Sequence, residues 1–410
     1  MQDRKHAFDS QSLNIRVSRL QEHQICFSRC RRVSCEFCVT MTELERSRNS
    51  MLNGLKKLRI GDLTAKLPII QGGMGVGISM SGLASAVAEE GGVGVIATAG
   101  IGMLESDGFS NFLEASIRGL RREIRKTREK TKGIVGVNIM VALSNFGDMV
   151  RTAVEEKADI IFSGAGLPLR LPEFLKEKGR TKLIPIVSSA KAANLLIRKW
   201  LGKYDYLPDA FVVEGPLAGG HLGFKPEQIE DANYSLDRLV PEVVAEVRPY
   251  EEKHQKEIPV IAAGGIYTGE DIRRIMDQGA SGVQLATRFV CTDECDAAPE
   301  FKNAFLKSRK EDLVIIKSPV GMPGRAIRNQ YIDDVNAGKK KPFRCPLHCI
   351  VTCERQSSPY CIALALTNAL KGRLDRGFAF AGANAYRTDR IISVKALLAE
   401  LLSEFRSSDK

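Results

Sequence analysis

Residues 67–289 alternate short runs of aliphatic and β-branched residues with amphipathic stretches of helical period. Three of the amphipathic stretches, SGLASAVAEEGG, MVRTAVEEKAD and GEDIRRIMDQGA, are typical of helices with one buried face. Eight of the apolar runs have the length and composition of buried strands: 67–73, 93–99, 134–141, 160–166, 183–189, 210–215, 259–266 and 282–289. Eight consecutive strand–helix units predict an α/β fold, a TIM (β/α)8 barrel, over residues 51–330.

An open, doubly wound sheet is the rival architecture. Its fingerprint is a GxGxxG loop between the first strand and its helix, with an acidic residue after the second strand. The glycine-rich segment 72–77 has the wrong register for that loop. The pattern therefore favours the closed barrel.

The first fifty residues differ from the rest of the chain. They are polar and lack sustained periodicity, which predicts a disordered extension at 1–50, outside the native chain if translation starts at Met41 or Met51. Four cysteines in this segment are candidate zinc ligands, although only one pair is separated by the usual two residues. They are Cys26, Cys30, Cys35 and Cys38.

Charge and hydropathy restrict the classes of partner. The net charge is +11, but only 6% of residues are aromatic and the basic residues are not interleaved with them, so nucleic-acid binding is not predicted. The densest basic stretch, 118–132, has helical periodicity. It is either a solvated helix face or a dock for an acidic carrier protein. No apolar run is long enough to cross a membrane and the amino-terminal segment lacks a signal-peptide core, which predicts a cytoplasmic protein.

Candidate chemistry concentrates where the predicted strands end, because the active site of such a barrel lies at the carboxyl ends of its strands. The stretch 211–224, FVVEGPLAGGHLGF, begins as a strand and ends as a glycine loop that carries His221. Taken alone, this histidine is either a solvated loop residue or a titratable group held against a ligand. Small residues after the last two strands predict a phosphate site, the alternative being that they only permit tight turns. These residues are Gly264, Gly265, Ala286 and Thr287.

The motifs QGGMG, AGGHLG, IPVIAAGGI and QLATRF occur in that order within about residues 54–400. This combination resembles the nitronate monooxygenases and the related flavin-dependent enoyl-acyl-carrier-protein reductases. The resemblance implies an FMN-binding barrel in which His221 is the catalytic histidine. It also implies a set of cofactor-binding residues: Gly73, Met74, Asn138, Gly219, Gly220, Gly264, Gly265, Gln284, Ala286 and Thr287.

Two functions follow from the resemblance, and a third belongs to another class. The first is oxidation of alkyl nitronates with O2, in which His221 acts as the base or orients a small-molecule substrate. The second is NAD(P)H-dependent reduction of an enoyl thioester, in which the basic helix at 118–132 would dock the carrier protein. The third is a non-catalytic flavin-binding or electron-transfer protein that uses the cysteines of the carboxyl-terminal segment. Glu214 departs from the glutamine that nitronate monooxygenases often have there, and its carboxylate is expected to raise the pKa of His221 or to change the substrate.

Residues 331–410 are predicted to form a small, cysteine-containing helical segment packed on the barrel. Cys345, Cys349, Cys353 and Cys361 are separated by gaps of three, three and seven residues. They are expected either to ligate an iron–sulfur cluster or zinc, a cluster being able to pass electrons to FMN, or to be free thiols on a helical subdomain.

Two loops near the carboxyl terminus are also expected at the site. The segment 321–325, GMPGR, is predicted to cross the barrel mouth as a loop. The segment 378–387, FAFAGANAYR, is predicted either to return to the flavin with Asn384 and Tyr386 as substrate contacts, or to cap the final amphipathic helix.

Overall fold

The computed structural model describes residues 55–175, 180–339, 345 and 347–408. The prediction made for residues 1–50, including their four cysteines, falls outside the described residues. No helix in the described ranges is both long and apolar enough to span a membrane.

Eight parallel strands close into a barrel, which confirms the predicted fold class. The last two strands complete it, because the seventh pairs with the sixth and the eighth pairs with the first. In chain order the barrel strands are β3 (Ile69–Gln71), β4 (Val93–Ala97), β5 (Ile134–Met140), β6 (Ile160–Gly164), β7 (Lys182–Val187), β8 (Phe211–Glu214), β10 (Val260–Ala263) and β11 (Gly282–Leu285). All eight predicted runs are strands, and most extend a few residues beyond the observed strand into the loop that follows it.

Aliphatic and aromatic side chains from facing strands fill the barrel. Val95, Phe162 and Ile184 belong to one buried cluster together with Ile261. A hairpin of β1 (Leu58–Ile60) and β2 (Leu63–Ala65) adds Leu58 and Ile60 to the same cluster. Because Leu58 lies beside Gly282 at the start of β11, the hairpin covers the amino-terminal end of the barrel. The opposite end carries the loops that form the site.

Helices cover the outside of the barrel and continue into the carboxyl-terminal segment. They are α1 (Ser81–Glu89), α2 (Phe112–Lys130), α3 (Phe146–Glu155), α4 (Ala190–Tyr204), α5 (Leu236–His254), α6 (Gly269–Asp277), α7 (Thr287–Val290), α8 (Pro299–Lys307), α9 (Gln330–Asn336), α10 (Ile362–Leu370) and α11 (Val394–Ser407). Helix α11 packs on α6, where the Glu404 carboxylate accepts the Gly269 N–H at 2.7 Å. The final amphipathic helix is therefore anchored to the barrel wall.

Helix α2 contains the basic stretch. Leu120 and Ile124 are buried, as its apolar stripe predicts. Five of its arginines form ion pairs with carboxylates of the same chain: Arg118 with Asp107, Arg121 with Glu155, Arg122 with Glu105, Arg125 with Glu156, and Arg128 with Asp159. This internal pairing favours a solvated structural face over a dock for an acidic carrier.

A second, three-stranded sheet lies over one side of the barrel mouth. It consists of β9 (Gly220–His221), β12 (Leu313–Lys317) and β13 (Pro323–Ile327), with β13 in the centre. The prediction of a loop at 321–325 is thus wrong for most of that segment, which begins strand β13. Pro323 is compatible with this position because it is the first residue of its strand.

Candidate active site

A cavity of about 220 Å3 opens at the carboxyl ends of the barrel strands. Its wall includes several glycines, Asn138 of β5 and Gln284 of β11, and also Met74 and the residues that follow β11. Nine of the eleven residues assigned from the sequence to catalysis or cofactor binding line it: Gly73, Met74, Asn138, Gly219, Gly220, His221, Gln284, Ala286 and Thr287. The fold therefore brings together residues that are up to about two hundred positions apart in the chain.

The other two predicted residues, Gly264 and Gly265, lie behind the loop that follows β8. A Cβ at Gly264 would lie 2.8 Å from the Gly215 carbonyl oxygen, and one at Gly265 would lie 2.8 Å from the Leu217 side chain. Both have positive φ, +94° and +86°, which only glycine adopts readily. Their observed contacts let the loops after β8 and β10 pack closely, and their binding of a phosphate stays a prediction.

Strand pairing fixes His221 on the cavity wall. His221 is in β9 and pairs with Gly324 of β13. Its Nε2 lies 2.7 Å from the Ser318 Oγ, which also accepts the Val320 N–H at 3.2 Å. The imidazole packs edge-on against Phe380, with ring centroids 5.0 Å apart. Burial lowers the pKa of His221 to about 4, so the imidazole is neutral at physiological pH.

Glu214 ends β8 and faces the same cavity. Burial raises its pKa to about 7, so the carboxyl group is part protonated near neutrality. The expectation that Glu214 would raise the pKa of His221 is wrong, because the pKa of the histidine is lowered. Desolvation acts on both groups and favours the neutral form of each.

The loop at 378–387 does return to the cavity. Phe380, Ala381 and Gly382 line it, and the Gly382 N–H donates to the Thr287 Oγ1 at 3.1 Å. Asn384 instead donates its side-chain N–H to the Gly265 carbonyl at 2.6 Å, and Tyr386 is 37% exposed. These two residues therefore support the loop or face solvent, and neither belongs to the cavity lining.

Arg325 holds the β8 loop in place from the second sheet. Its buried guanidinium donates to the carbonyls of Pro216 and Ala218, at 2.6 and 2.7 Å. These two hydrogen bonds hold the segment between Glu214 and Gly219 against the guanidinium of Arg325. The position of the glycine loop thus depends on a residue more than one hundred positions later.

A larger, more open cavity of about 440 Å3 adjoins the first. Both cavities are lined by Ala165, Ile186, Glu214 and His221. Beyond these shared residues, the second cavity is bordered by Ser188, Met322 and Thr352. His221 and Glu214 therefore stand between a glycine-rich inner chamber and an outer chamber with room for a sizeable ligand.

The four carboxyl-terminal cysteines lie around one small pocket of their own. Burial, together with the neighbouring thiols of Cys361, Cys345 and Cys353, raises the pKa of Cys349 to about 12. The four cysteines are therefore close in space, and none of them is in a disulfide in the described residues.

Two contacts of the His221 ring were not predicted from the sequence. Ser318 and Phe380 contact the His221 ring from segments 97 and 159 residues further along the chain. Phe380 belongs to the loop at 378–387, one of whose two predicted roles was to return to the cavity. Ser318 lies in no motif, and only the pairing of β9 with β13 brings it to the ring. No local pattern in the sequence predicts that contact.

Comparison with known proteins agrees with this geometry. A family profile described as nitronate monooxygenase matches residues 56–404, which is most of the chain. The chain belongs to the nitronate monooxygenase family. It is therefore an oxidoreductase enzyme, and this finding argues against a non-catalytic electron-transfer protein.

Relatives within and near the nitronate monooxygenase family differ in their named activities. A probable nitronate monooxygenase of Staphylococcus saprophyticus is 27% identical over 67% of this chain and 79% of its own length. A (3aS,4S,5R,7aS)-5-hydroxy-7a-methyl-1-oxo-octahydro-1H-indene-4-carboxyl-CoA dehydrogenase of Mycobacterium tuberculosis is 28% identical over 67% of this chain and 66% of its own. The structure of FabK from Thermotoga maritima superposes with a TM-score of 0.64 at 30% identity, covering 83% of this chain and 93% of that one.

Proposed function

We propose that this nitronate monooxygenase family member is an FMN-dependent oxidoreductase that oxidises alkyl nitronates with O2. The observation that carries the proposal is the neutral His221 imidazole, held by Ser318 on the wall of a glycine-rich cavity at the barrel mouth. The probable nitronate monooxygenase of S. saprophyticus supports the choice of substrate.

The residues of the inner chamber suit a flat, phosphate-bearing group. Gly73 packs closely on Asn138, because a Cβ at Gly73 would lie 2.4 Å from the asparagine Cβ. Only glycine fits at this point of the chamber wall, and no side chain projects from it. At Gly220, φ is +76° and a Cβ would meet no atom of the described residues within 4 Å, so the space beside it is open. Asn138 and Gln284 present amide groups to the chamber. FMN would lie against Gly73, Met74, Gly219 and Gly220, with its phosphate near Ala286 and Thr287.

When bound, FMN supplies the transfer of electrons between substrate and oxygen. The protein then has to position the substrate and accept or donate one proton. A neutral imidazole can accept a proton from the acidic carbon beside a nitro group, or donate its N–H to the negatively charged nitronate. Ser318 suits either tautomer, because a hydroxyl both donates and accepts a hydrogen bond.

Reaction with a thioester is the second candidate, and the outer chamber favours it. A volume of about 440 Å3 exceeds what a short alkyl nitronate would occupy. The M. tuberculosis relative is named as a dehydrogenase of a carboxyl-CoA thioester. In this alternative an enoyl thioester would be reduced at the expense of NAD(P)H, and His221 would polarise the thioester carbonyl or deliver the proton. The ion-paired arginines of α2 do not favour a carrier protein as the donor of that thioester.

Two assays on the purified full chain distinguish the candidates. The proposal expects oxygen uptake with an alkyl nitronate in the absence of NAD(P)H, and stoichiometric FMN released on denaturation. Oxidation of NADPH that depends on an enoyl thioester, without nitronate-dependent oxygen uptake, would replace the proposal with the second candidate. Absence of FMN after reconstitution with excess flavin would overturn both.

A further inference from the structure

We propose that the four carboxyl-terminal cysteines bind an iron–sulfur cluster of the [4Fe–4S] class. Cys345, Cys349, Cys353 and Cys361 all line one pocket, whose wall is completed mainly by Ile350, Tyr360 and Ile362. Four thiolates are the ligand set of such a cluster. The pocket is separate from the two chambers of the active site, so the proposal does not depend on the substrate.

An unpaired polar group on the pocket wall is an independent sign of a missing ligand. The Tyr360 side chain is only 5% exposed, and its hydroxyl has no hydrogen-bond partner among the described residues. A buried hydroxyl without a partner is costly and uncommon. A sulfide or thiolate of a bound cluster would accept this hydrogen bond.

Backbone and charged groups also face the sulfurs. Cys361 is the N-cap residue of α10, so its sulfur lies near the backbone N–H groups of Ala363 and Leu364 in the first turn of that helix. Arg355 lies on the pocket wall and brings a positive charge near Cys353. Helix amino termini and cations stabilise the negative charge that four thiolates bring to a cluster.

The geometry favours a cluster over a single zinc ion. No three histidine, cysteine, aspartate or glutamate side chains in the described ranges converge so as to hold one metal ion. In a [4Fe–4S] cluster each cysteine binds a different iron, so the sulfurs surround a volume instead of meeting at a point. The gaps of three, three and seven residues likewise match no common zinc signature.

Backbone hydrogen bonds join the cysteine pocket to the active-site end of the barrel. The Ser144 N–H donates to the Cys349 carbonyl at 3.1 Å, and the Val351 N–H donates to the Ala142 carbonyl at 2.9 Å, in the loop after β5. On the other side, Cys361 directly precedes α10, and Leu366 within that helix lines the inner chamber. Five helical residues span about 7.5 Å, so a cluster would lie close to the flavin chamber.

Anaerobic purification of the full chain, followed by iron and acid-labile sulfide analysis, tests the site. The expected result is about four irons and four sulfides per chain, and an electron paramagnetic resonance signal after dithionite reduction. The double variant Cys349→Ala and Cys353→Ala is expected to lose both elements while retaining FMN, which shows that the barrel has folded. Stoichiometric zinc, or iron that persists in this variant, would overturn the proposal.

Two further variants separate the pocket from other cysteines and test the tyrosine. Replacing Cys26, Cys30, Cys35 and Cys38 by alanine is expected to leave iron and sulfide unchanged, and their loss there would assign the cluster to the amino-terminal segment instead. Tyr360→Phe is expected to keep the cluster and lower its reduction potential, because hydrogen bonds to the sulfurs raise that potential. An unchanged potential would contradict the assigned hydrogen bond.

Discussion

The Nε2 of His221 lies 2.7 Å from the Oγ of Ser318, although 97 residues separate them in the chain. The contact exists because β9, only two residues long, pairs with β13 across the barrel mouth. Ser318 lies in the turn that joins β12 to β13. The second sheet therefore holds the imidazole ring of His221 against the hydroxyl of Ser318.

Removing that hydroxyl should impair turnover more than binding. Ser318→Ala leaves the imidazole in place but no longer fixes its orientation, and we expect kcat to fall by roughly 5- to 30-fold, which corresponds to about 1–2 kcal/mol. Steady-state kinetics with FMN content measured in parallel checks this. Ser318→Thr keeps the hydroxyl and should recover most of the loss. Ser110→Ala, at an exposed position, is the matched control. An unaltered kcat for Ser318→Ala would remove the serine from the account.

Glu214 should make stability depend on pH. Its pKa rises from 4.5 to about 7 in the folded chain, so between these values the folded state keeps a proton that the unfolded state has released. Stability therefore falls as pH rises through this window and the penalty stays constant above it. In flavin-free protein, Glu214→Gln should remove a penalty of roughly 1–3 kcal/mol at pH 8 and change little at pH 4.

Urea unfolding of both proteins across that pH range measures the effect. Glu227→Gln, in the exposed part of the following loop, is the control and should follow the wild type at every pH. If the difference between wild type and Glu214→Gln does not vary with pH, the carboxyl group is not shifted as described.

Gly219 should not tolerate even one methyl group. A Cβ there would lie 2.5 Å from the Ala381 carbonyl carbon and 2.6 Å from the Gly382 nitrogen, which are backbone atoms of the cavity wall. Gly219→Ala should displace the loop at 380–382, weaken retention of FMN and lower the melting temperature by several degrees. Thermal unfolding and flavin content check both effects.

Gly202→Ala makes the same chemical change in a permissive place. Gly202 is in helix α4, and a Cβ there would meet no described atom within 4 Å. Alanine should stabilise that helix by about 0.5–1 kcal/mol. A loss of FMN in Gly202→Ala equal to that in Gly219→Ala would show that the loop contact is not the cause.

The sequence anticipated the barrel well because its signals are local. Buried parallel strands such as 134–141 are nearly continuous apolar runs, and amphipathic helices separate them regularly. Convergence of the strand ends on one mouth predicted where the cavity lies, and the family resemblance supplied its individual glycine and amide positions. The predicted strand at 282–289 was too long because the β-branched Thr287 and the aromatic Phe289 continue its strand-like composition into helix α7.

Apart from the return of the loop at 378–387 to the cavity, contacts between distant segments were not foreseen. Pro323 and Gly324 suggest a loop, and only their pairing with Lys317 and His221 makes them part of a sheet. Burial of Glu214 and His221 was likewise invisible in the residue pattern, and it reverses the expected direction of the histidine pKa. Desolvation is a property of the assembled cavity, which no short stretch of sequence encodes.

The most direct measurement is the turnover of His221→Asn relative to the wild type, with the bound FMN of both proteins quantified. Asparagine keeps a polar group of similar size but cannot accept a proton as imidazole does, so we expect turnover to fall by roughly 100-fold or more while FMN is retained. His254→Asn, at the exposed end of α5, should behave as the wild type. A His221→Asn protein with full FMN and undiminished turnover would contradict the account.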